Sequence, residues 1–262
     1  MRKYWTIFKL SWQNSLVYRL NFVMWRVRSV IGFLASYLFW LALTGSNHQI
    51  GSYTQTSLLT YIFVAGFLRN LVFSNISYSA CAEIASGDLN NFLLKPFSYL
   101  KYWFSRDLAD KLLNLIFFGG EIILLYLILR PVIVMPLHLL AFLGISLLSG
   151  ILFFFLSFLV SSFSFWHPEH DGWPLRFLFL MIIDFLSGAS IPLDIFPPAI
   201  IKVFKIMPFS YLVYYPAQVW LGQAEKEMVG IFLLTGFWLV IFYLLTRLVW
   251  RQGLKSYAAY GR

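Results

Sequence analysis

Six stretches of the chain, at about 24–44, 56–75, 108–129, 138–163, 174–193 and 228–249, each hold around 20 or more mainly apolar residues. A helix rises about 1.5 Å per residue, so about 20 residues reach across a hydrocarbon core about 30 Å thick. Six runs of this length within 262 residues leave no room for a separate soluble catalytic domain. The charge content agrees: only 12% of residues are charged, against about a quarter in soluble domains. The chain is therefore read as an all-α polytopic membrane protein, six transmembrane helices forming one domain over 1–262. The first apolar run lacks a small-residue cleavage site and is long enough to stay as a span, so no cleavable signal peptide is expected. Cys81 is the only cysteine and cannot form an internal disulfide.

The basic residues orient the spans. With both termini in the cytoplasm, fifteen of the twenty Lys and Arg fall on the inner side and only Arg130, Lys202, Lys205 and Lys226 fall outside; Arg69 lies within a span. Lys and Arg accumulate on the cytoplasmic side of membrane proteins, and the opposite orientation would invert that bias. The net charge of +9 thus follows from topology, and no nucleic-acid partner is expected.

Three segments depart from the pattern of spans. In residues 2–18, Trp5, Phe8, Trp12 and Leu16 recur at helical spacing while Arg2, Thr6, Lys9 and Gln13 form another face. That pattern predicts an amphipathic helix lying in the membrane interface. On the cytoplasmic side, residues 84–96 predict a second amphipathic helix. Its apolar face holds Ala85, Leu89, Phe92 and Leu93, its polar face Asp88, Asn91 and Lys95, and Pro96 ends it. Such a helix either fits a groove on a partner or lies passively on lipid. The third segment, 187–222, is too apolar for a solvated loop yet is broken by Pro192, Pro197, Pro198, Pro208 and Pro216. A short helix over 199–207 within an external re-entrant pair, spanning 191–216 between spans five and six, is the expected form. Non-helical backbone at membrane depth is tolerated only under cover of protein or a water-filled cavity.

The chain has no GxxxxGK[ST] phosphate loop, no GxSxG elbow, no HExxH helix and no CxxC pair. The sequence "HPEH" at His167 to His170 matches no zinc spacing, and Pro168 interrupts any helix there, so no metal site is expected. Charges inside spans carry more information, because each costs about 2.5–3.5 kcal/mol even on insertion-based scales. Arg69, Glu121 and Asp184 are those charges. They either line a translocation path or pair between helices with no contact to cargo.

Three motifs, in order, carry a resemblance. "GDLNNFLLKP" is similar to the pattern G-x-L-x-x-x-L-x-K/R-P that follows span two in permease subunits of type 2 ATP-binding cassette (ABC) exporters, with Gly87, Leu89, Leu93, Lys95 and Pro96 matching. The external segment resembles that family's small-x-x-x-Pro, Phe-Pro and Pro-Phe series at Gly188, Pro192, Phe196, Pro197, Pro208, Phe209 and Pro216. The C-terminal stretch is similar to the family's G-x-x-x-Y-x-x-x-G at Gly253, Tyr257 and Gly261. The resemblance covers essentially the whole chain. It implies a multi-pass permease of the bacterial cytoplasmic (inner) membrane, paired with a second copy or a different sister permease. It also implies separate ABC ATPase subunits, which hold the ATP and Mg, and no cofactor on this chain. The segment carrying Ile84, Gly87, Asp88, Leu89, Phe92, Leu93, Lys95 and Pro96 would couple to the ATPase, and the cargo would be a small hydrophobic or amphipathic compound, a lipid or a glycoconjugate.

Two other classes compete. An integral-membrane enzyme acting on lipids would need Asp184, Glu121 or the 167–171 loop as acid/base groups, but these lie in different segments. A secondary transporter usually shows more spans and internal repeats, and no repeat is found here.

Overall fold

The computed structural model describes residues 2–17, 19–45, 49–74, 76–168 and 173–257. Its helices run in the order α1 (Arg2–Val17), α2 (Arg19–Thr44), α3 (Gln55–Val72), α4 (Ile76–Ala85), α5 (Leu89–Leu93), α6 (Tyr99–Leu129), α7 (Leu139–Ser161), α8 (Trp173–Leu186), α9 (Pro198–Ile206), α10 (Tyr214–Trp220) and α11 (Met228–Ser256). Short 3₁₀ turns follow α7 and punctuate the stretch between α8 and α11. No named strand occurs among the described residues; Ile50 and Tyr53 form one isolated bridge.

Among the described residues, four helical stretches are long and apolar enough to cross a membrane: Phe22–Thr44, Tyr99–Leu129, Leu139–Phe165 and Glu225–Ser256. The chain is a multi-pass membrane protein. The other two expected spans are shorter than the sequence suggested. The run at 56–75 becomes α3, 18 residues with Arg69 and Asn70 in its last turn. The run at 174–193 becomes α8, only 14 residues, or about 21 Å of rise. Four of the polar hydroxyls inside the helices are satisfied locally: Ser146, Ser149, Thr235 and Thr60 each donate to the carbonyl four residues back. In an apolar medium that back-bonding removes the cost of an unpaired hydroxyl.

α8 stops because the chain turns sharply at Gly188, where φ is +79°. The hydroxyl of Tyr61 donates to the Gly188 carbonyl at 2.7 Å, and the Tyr214 amide donates to Ser187 at 2.9 Å. A Cβ on Gly188 would sit 2.8 Å from the Tyr61 hydroxyl and 3.0 Å from the Tyr214 Cβ. Gly188→Ala is therefore expected to cost about 1–3 kcal/mol through backbone strain and displacement of Tyr61. A lowered melting midpoint in detergent is the predicted readout, and an unchanged midpoint would contradict it.

α1 and the start of α2 run parallel to α6 in constant register. Lys3 donates to the Pro96 carbonyl, the Ser98 amide donates to the Tyr4 hydroxyl, Ser15 donates to Asp110, and Arg26 donates to Glu121. The partners are separated by 93 to 95 residues throughout. The helix expected over 2–18 is thus formed at Arg2–Val17, with one flank committed to α6. Residue 18 lies outside the described residues. Trp5 stacks on Phe8 and Phe8 meets Trp12, so the aromatic series forms one continuous row.

The interior divides into two cores. The larger is built from α2, α3, α7 and the stretch 189–231, with Tyr53, Tyr61, Phe142, Phe153 and Tyr211 fully buried. The smaller gathers Ile84, Leu89, Tyr99, Trp103, Phe154, Phe158 and Phe165 with Trp250, Leu254 and Tyr257 packed against them. It lies at the end of the bundle where the start of α1, the 84–98 stretch and the end of α11 converge.

The single helix expected over 84–96 is not formed. α4 ends at Ala85, the chain turns at Ser86–Gly87–Asp88 with Gly87 at φ +85°, and only Leu89–Leu93 is helical. The helical periodicity read through Gly87 because its left-handed φ leaves no mark in the apolar pattern. The Ser86 hydroxyl donates to Asp88 Oδ2 at 2.9 Å and holds that turn.

Candidate functional site

α2, α3, α6 and α8, with Ser15 of α1, enclose a cavity of about 820 Å³. A second cavity of about 350 Å³ adjoins it, sharing Trp25, Arg28, Ser29, Arg69 and Asn70, and continues along α2 and α3 to Ala189. Along α2 the two together reach from Phe22 to Ser36, about 21 Å of helix. Four arginines from three helices stand on the wall of the larger cavity: Arg26 and Arg28 of α2, Arg69 of α3 and Arg176 of α8. Asp110 of α6 and Asp184 of α8 stand there with them.

Arg69, Glu121 and Asp184 fall into two different pairs. Arg69 meets Asp184 and donates to the Ser190 hydroxyl at 2.8 Å, while Ser190 donates to Asp184. Their side chains remain 40% and 32% exposed, open to the cavity. Glu121 is not with them. It accepts from Arg26 Nε at 2.6 Å and meets a second nitrogen of the same guanidinium, with side chains only 11% and 17% exposed. Arg26 also donates to Asn70 at 2.8 Å, and Asn70 donates to the Gly66 carbonyl at 2.9 Å. By sequence alone Arg26 carries only a topological role, because it sits near the basic start of the first span. The signal that could have found it is the acid itself: a carboxylate as deep as Glu121 calls for a cation, and Arg26 is inside the first apolar run. By sequence alone Lys111 is likewise only a topology residue. It pairs with Asp107 at 2.7 Å and donates to the Gly150 carbonyl at 2.9 Å, tying α6 to α7.

The end holding the smaller core presents the 84–96 segment. Ile84 and Leu89 are fully buried, and Phe92 packs among Tyr99, Tyr102 and Phe97. Lys95 lies over the Phe92 ring at 4.9 Å. The predicted apolar face is therefore split: Leu89 anchors inward, whereas Leu93 is 47% and its neighbour Leu94 87% exposed. Asp88 stands at the start of α5, and Pro96 is exposed, its carbonyl accepting from Lys3. Below the segment, Glu83 accepts from Tyr99 at 2.8 Å and pairs with Arg106 at 3.5 Å. Burial raises the Glu83 carboxyl, and those two partners pull it back down. Gly253 and Tyr257 belong to the same core. A Cβ on Gly253 would meet the Phe165 ring at 2.2 Å, and Tyr257 stands edge-on to that ring. Two motifs far apart in sequence thus meet at one place. Gly261 lies outside the described residues.

At the opposite end, the proline-rich stretch folds as two short helices of different character. α9 buries no residue, while α10 is buried from Tyr214 to Val219. Gly188 and Pro192 shape the entry and Phe196 packs on Phe185 and Phe204. Pro197 stands at the exposed start of α9, and Pro208 with Phe209 opens the 3₁₀ turn before α10. Asp194 ties the stretch together: Tyr53 donates to it at 2.8 Å, and Tyr214 and Gln218 also donate. Burial, helped by Tyr61 and Asp194, pushes the Tyr53 phenol well above its usual range, so it stays a donor. Of the 167–171 loop, His167 stacks on Phe163, and residues 169–171 lie outside the described residues.

The sequence signature described as "ABC-2 family transporter protein" matches residues 30–261. The chain belongs to this family. It is a permease subunit of an ABC transporter, and membership of the ABC-2 family implies partnering with ABC ATPase subunits. Comparison with curated proteins and with solved structures finds no match. The ABC-2 match spans α3 to α11 and both motif-bearing ends, so the cavity and the 84–96 segment lie within it apart from Ser15 and the first turns of α2.

Proposed function

We propose that this ABC-2 permease is one half of the membrane domain of an exporter in the bacterial cytoplasmic membrane. A second permease copy or a sister permease completes it. In this reading α3 and α8 join the four longer helices to make six spans, both termini face the cytoplasm, and α1 lies at the inner interface. The α9–α10 stretch re-enters from the outer side. The two adjoining cavities are this subunit's share of the translocation path for a small hydrophobic or amphipathic compound, a lipid or a glycoconjugate. The 84–96 segment receives the motion of an ATPase that binds ATP and Mg.

The observation that carries the reading is the Arg69–Asp184 pair, kept partly exposed on the wall of a cavity that α2, α3, α6 and α8 line. The Arg26–Glu121 pair is more enclosed, at 11% and 17% exposure, and joins α2 to α6. The integral-membrane enzyme fits less well, because Glu121 and Asp184 each meet an arginine and belong to two separate pairs. Expression of the full chain with its neighbouring genes, followed by purification in mild detergent, is expected to bring down an ATPase subunit. In vesicles, Asp184→Asn is expected to lower transport about tenfold at unchanged abundance, the cost of one charge-assisted contact. A folded chain that captures no ATPase, or an Asp184→Asn variant with normal transport, would overturn the corresponding part.

A further inference from the structure

We infer that Ser190 is the positioning residue of an outer gate: it ties the Arg69–Asp184 pair to the turn at 187–190, and that turn closes the smaller cavity toward the outside. This rests on the reading of the two cavities as part of the path and assigns what regulates passage out of them.

The smaller cavity runs along α2 as far as Ser36 and along α3 back to Ile62, and Ala189 stands on its wall. At those limits both helices take hold of the turn. Trp40, about one helical turn past Ser36, donates its indole N–H to the Ser190 carbonyl at 3.4 Å. Tyr61, beside Ile62, donates to the Gly188 carbonyl at 2.7 Å. Ser187 and Ala189 are buried. The turn therefore lies across the end of the cavity from which the proline-rich stretch departs.

Arg69 stands at the other end of this arrangement. It lines both cavities and so marks their junction. Its guanidinium reaches α8 through Asp184 and the turn through the Ser190 hydroxyl at 2.8 Å, and Ser190 completes the triangle by donating to Asp184. A hydroxyl accepts from the guanidinium and donates to the carboxylate through one atom, which an alanine cannot do.

The hold is releasable. The pair is 40% and 32% exposed at the cavity, and an ion pair that open gives up its partner at little cost. Arg69 Nε is buried with no hydrogen-bond partner, so the guanidinium is not fully satisfied in this arrangement. Gly188 at φ +79° is the pivot, a residue that changes backbone conformation without a Cβ penalty. Cargo at the junction that draws Arg69 away takes the charge-assisted bonds from the turn. What remains from α2 and α3 are the neutral bonds of Trp40 and Tyr61, which are weaker. The turn then swings on Gly188 and the smaller cavity opens outward.

The test uses the full chain, expressed with its partners in membrane vesicles, with Cys81→Ala removing the only native cysteine. Ser36→Cys places one thiol in the smaller cavity. In a separate chain Lys255→Cys, in the last turn of α11 beside the smaller core, marks the opposite side. A charged maleimide that does not cross the bilayer is added to one face at a time, and labelling of the purified chain is read by mass. The Ser36→Cys thiol is expected to label slowly from the face opposite to the one that labels Lys255→Cys. Ser190→Ala and Arg69→Gln should each speed that labelling at least about tenfold, the loss of one charge-assisted hydrogen bond. Ser190→Thr keeps the hydroxyl and should stay slow. An unchanged rate in Ser190→Ala and Arg69→Gln, or fast labelling of the parent from that face, overturns the gate. So does equal acceleration from both faces, which is what general loosening of the fold would give. The two readings fail separately. Lys255→Cys labelled from outside, with the Ser190→Ala acceleration on the inside, sinks only the orientation, and acceleration without a copurifying ATPase sinks only the exporter. An active ATPase complex without acceleration sinks only the gate.

Discussion

Glu121→Gln is expected to lower the abundance and melting midpoint of the chain sharply. Arg26 is enclosed between Glu121, Asn70, Asn114 and the Phe118 ring. Its guanidinium uses two nitrogens on the one carboxylate, and neither side chain is more than 17% exposed. Removing one partner of such a buried pair leaves the other charge uncompensated, at about 3–5 kcal/mol. Removing both charges costs far less, because the attraction and the desolvation penalty disappear together. Arg26→Met combined with Glu121→Leu should therefore recover most of the midpoint that either single change loses. Size-exclusion chromatography of heated detergent samples reads the midpoint directly. A Glu121→Gln chain as stable as the parent would mean that the pair is not enclosed as described. Asp184→Asn should behave differently: its pair is open to the cavity, where an ion pair contributes only about 0–1 kcal/mol, so abundance holds and transport falls.

The four longest spans were legible because length and apolarity act locally. Leu139–Ser161 and Met228–Ser256 need no tertiary information to be recognised, and the structure places them within a few residues of the expected 138–163 and of the start of 228–249. What failed was read through glycines. Gly87 and Gly188 each sit inside an apolar periodicity, yet each takes a positive φ and ends a helix. An apolar pattern records which side of a helix is greasy and says nothing of where the backbone reverses. The charges were half legible. A lone acid or base inside a span is conspicuous, so Arg69, Glu121 and Asp184 stood out. Their partners did not all stand out, because Arg26 and Lys111 lie in stretches where basic residues already had a topological explanation. The arginine-lined cavity was hidden for the same reason: Arg28 and Arg176 are ordinary as topology residues and become unusual only when α2 and α8 bring them to one wall. The constant register between α1–α2 and α6 is a long-range fact that no local pattern carries.

The largest functional effect is expected at Leu93 and Leu94. The split of the 84–96 face separates two roles that a single amphipathic helix would have mixed. Leu89 is buried with Ile84, Tyr99 and Trp103, so Leu89→Asp should remove the chain from the membrane fraction and reveal nothing about coupling. Leu93 and Leu94 make no such commitment, being 47% and 87% exposed on a turn fixed from below by Phe92 and Lys95. A large apolar side chain left this exposed beside a rigid core is the form an anchor takes before its partner arrives, and a few such anchors dominate an interface. Each anchor is worth about 2 kcal/mol or more, or about thirtyfold in affinity. Leu93→Asp with Leu94→Asp, at normal abundance and melting midpoint, is therefore expected to lose the copurifying ATPase and with it transport. Leu94→Met, which keeps the apolar bulk, should retain both. If the double aspartate variant still holds its ATPase and hydrolysis still responds to cargo, the exposed leucines serve the lipid surface. The mechanical contact must then be sought along α1 and the exposed start of α6 instead.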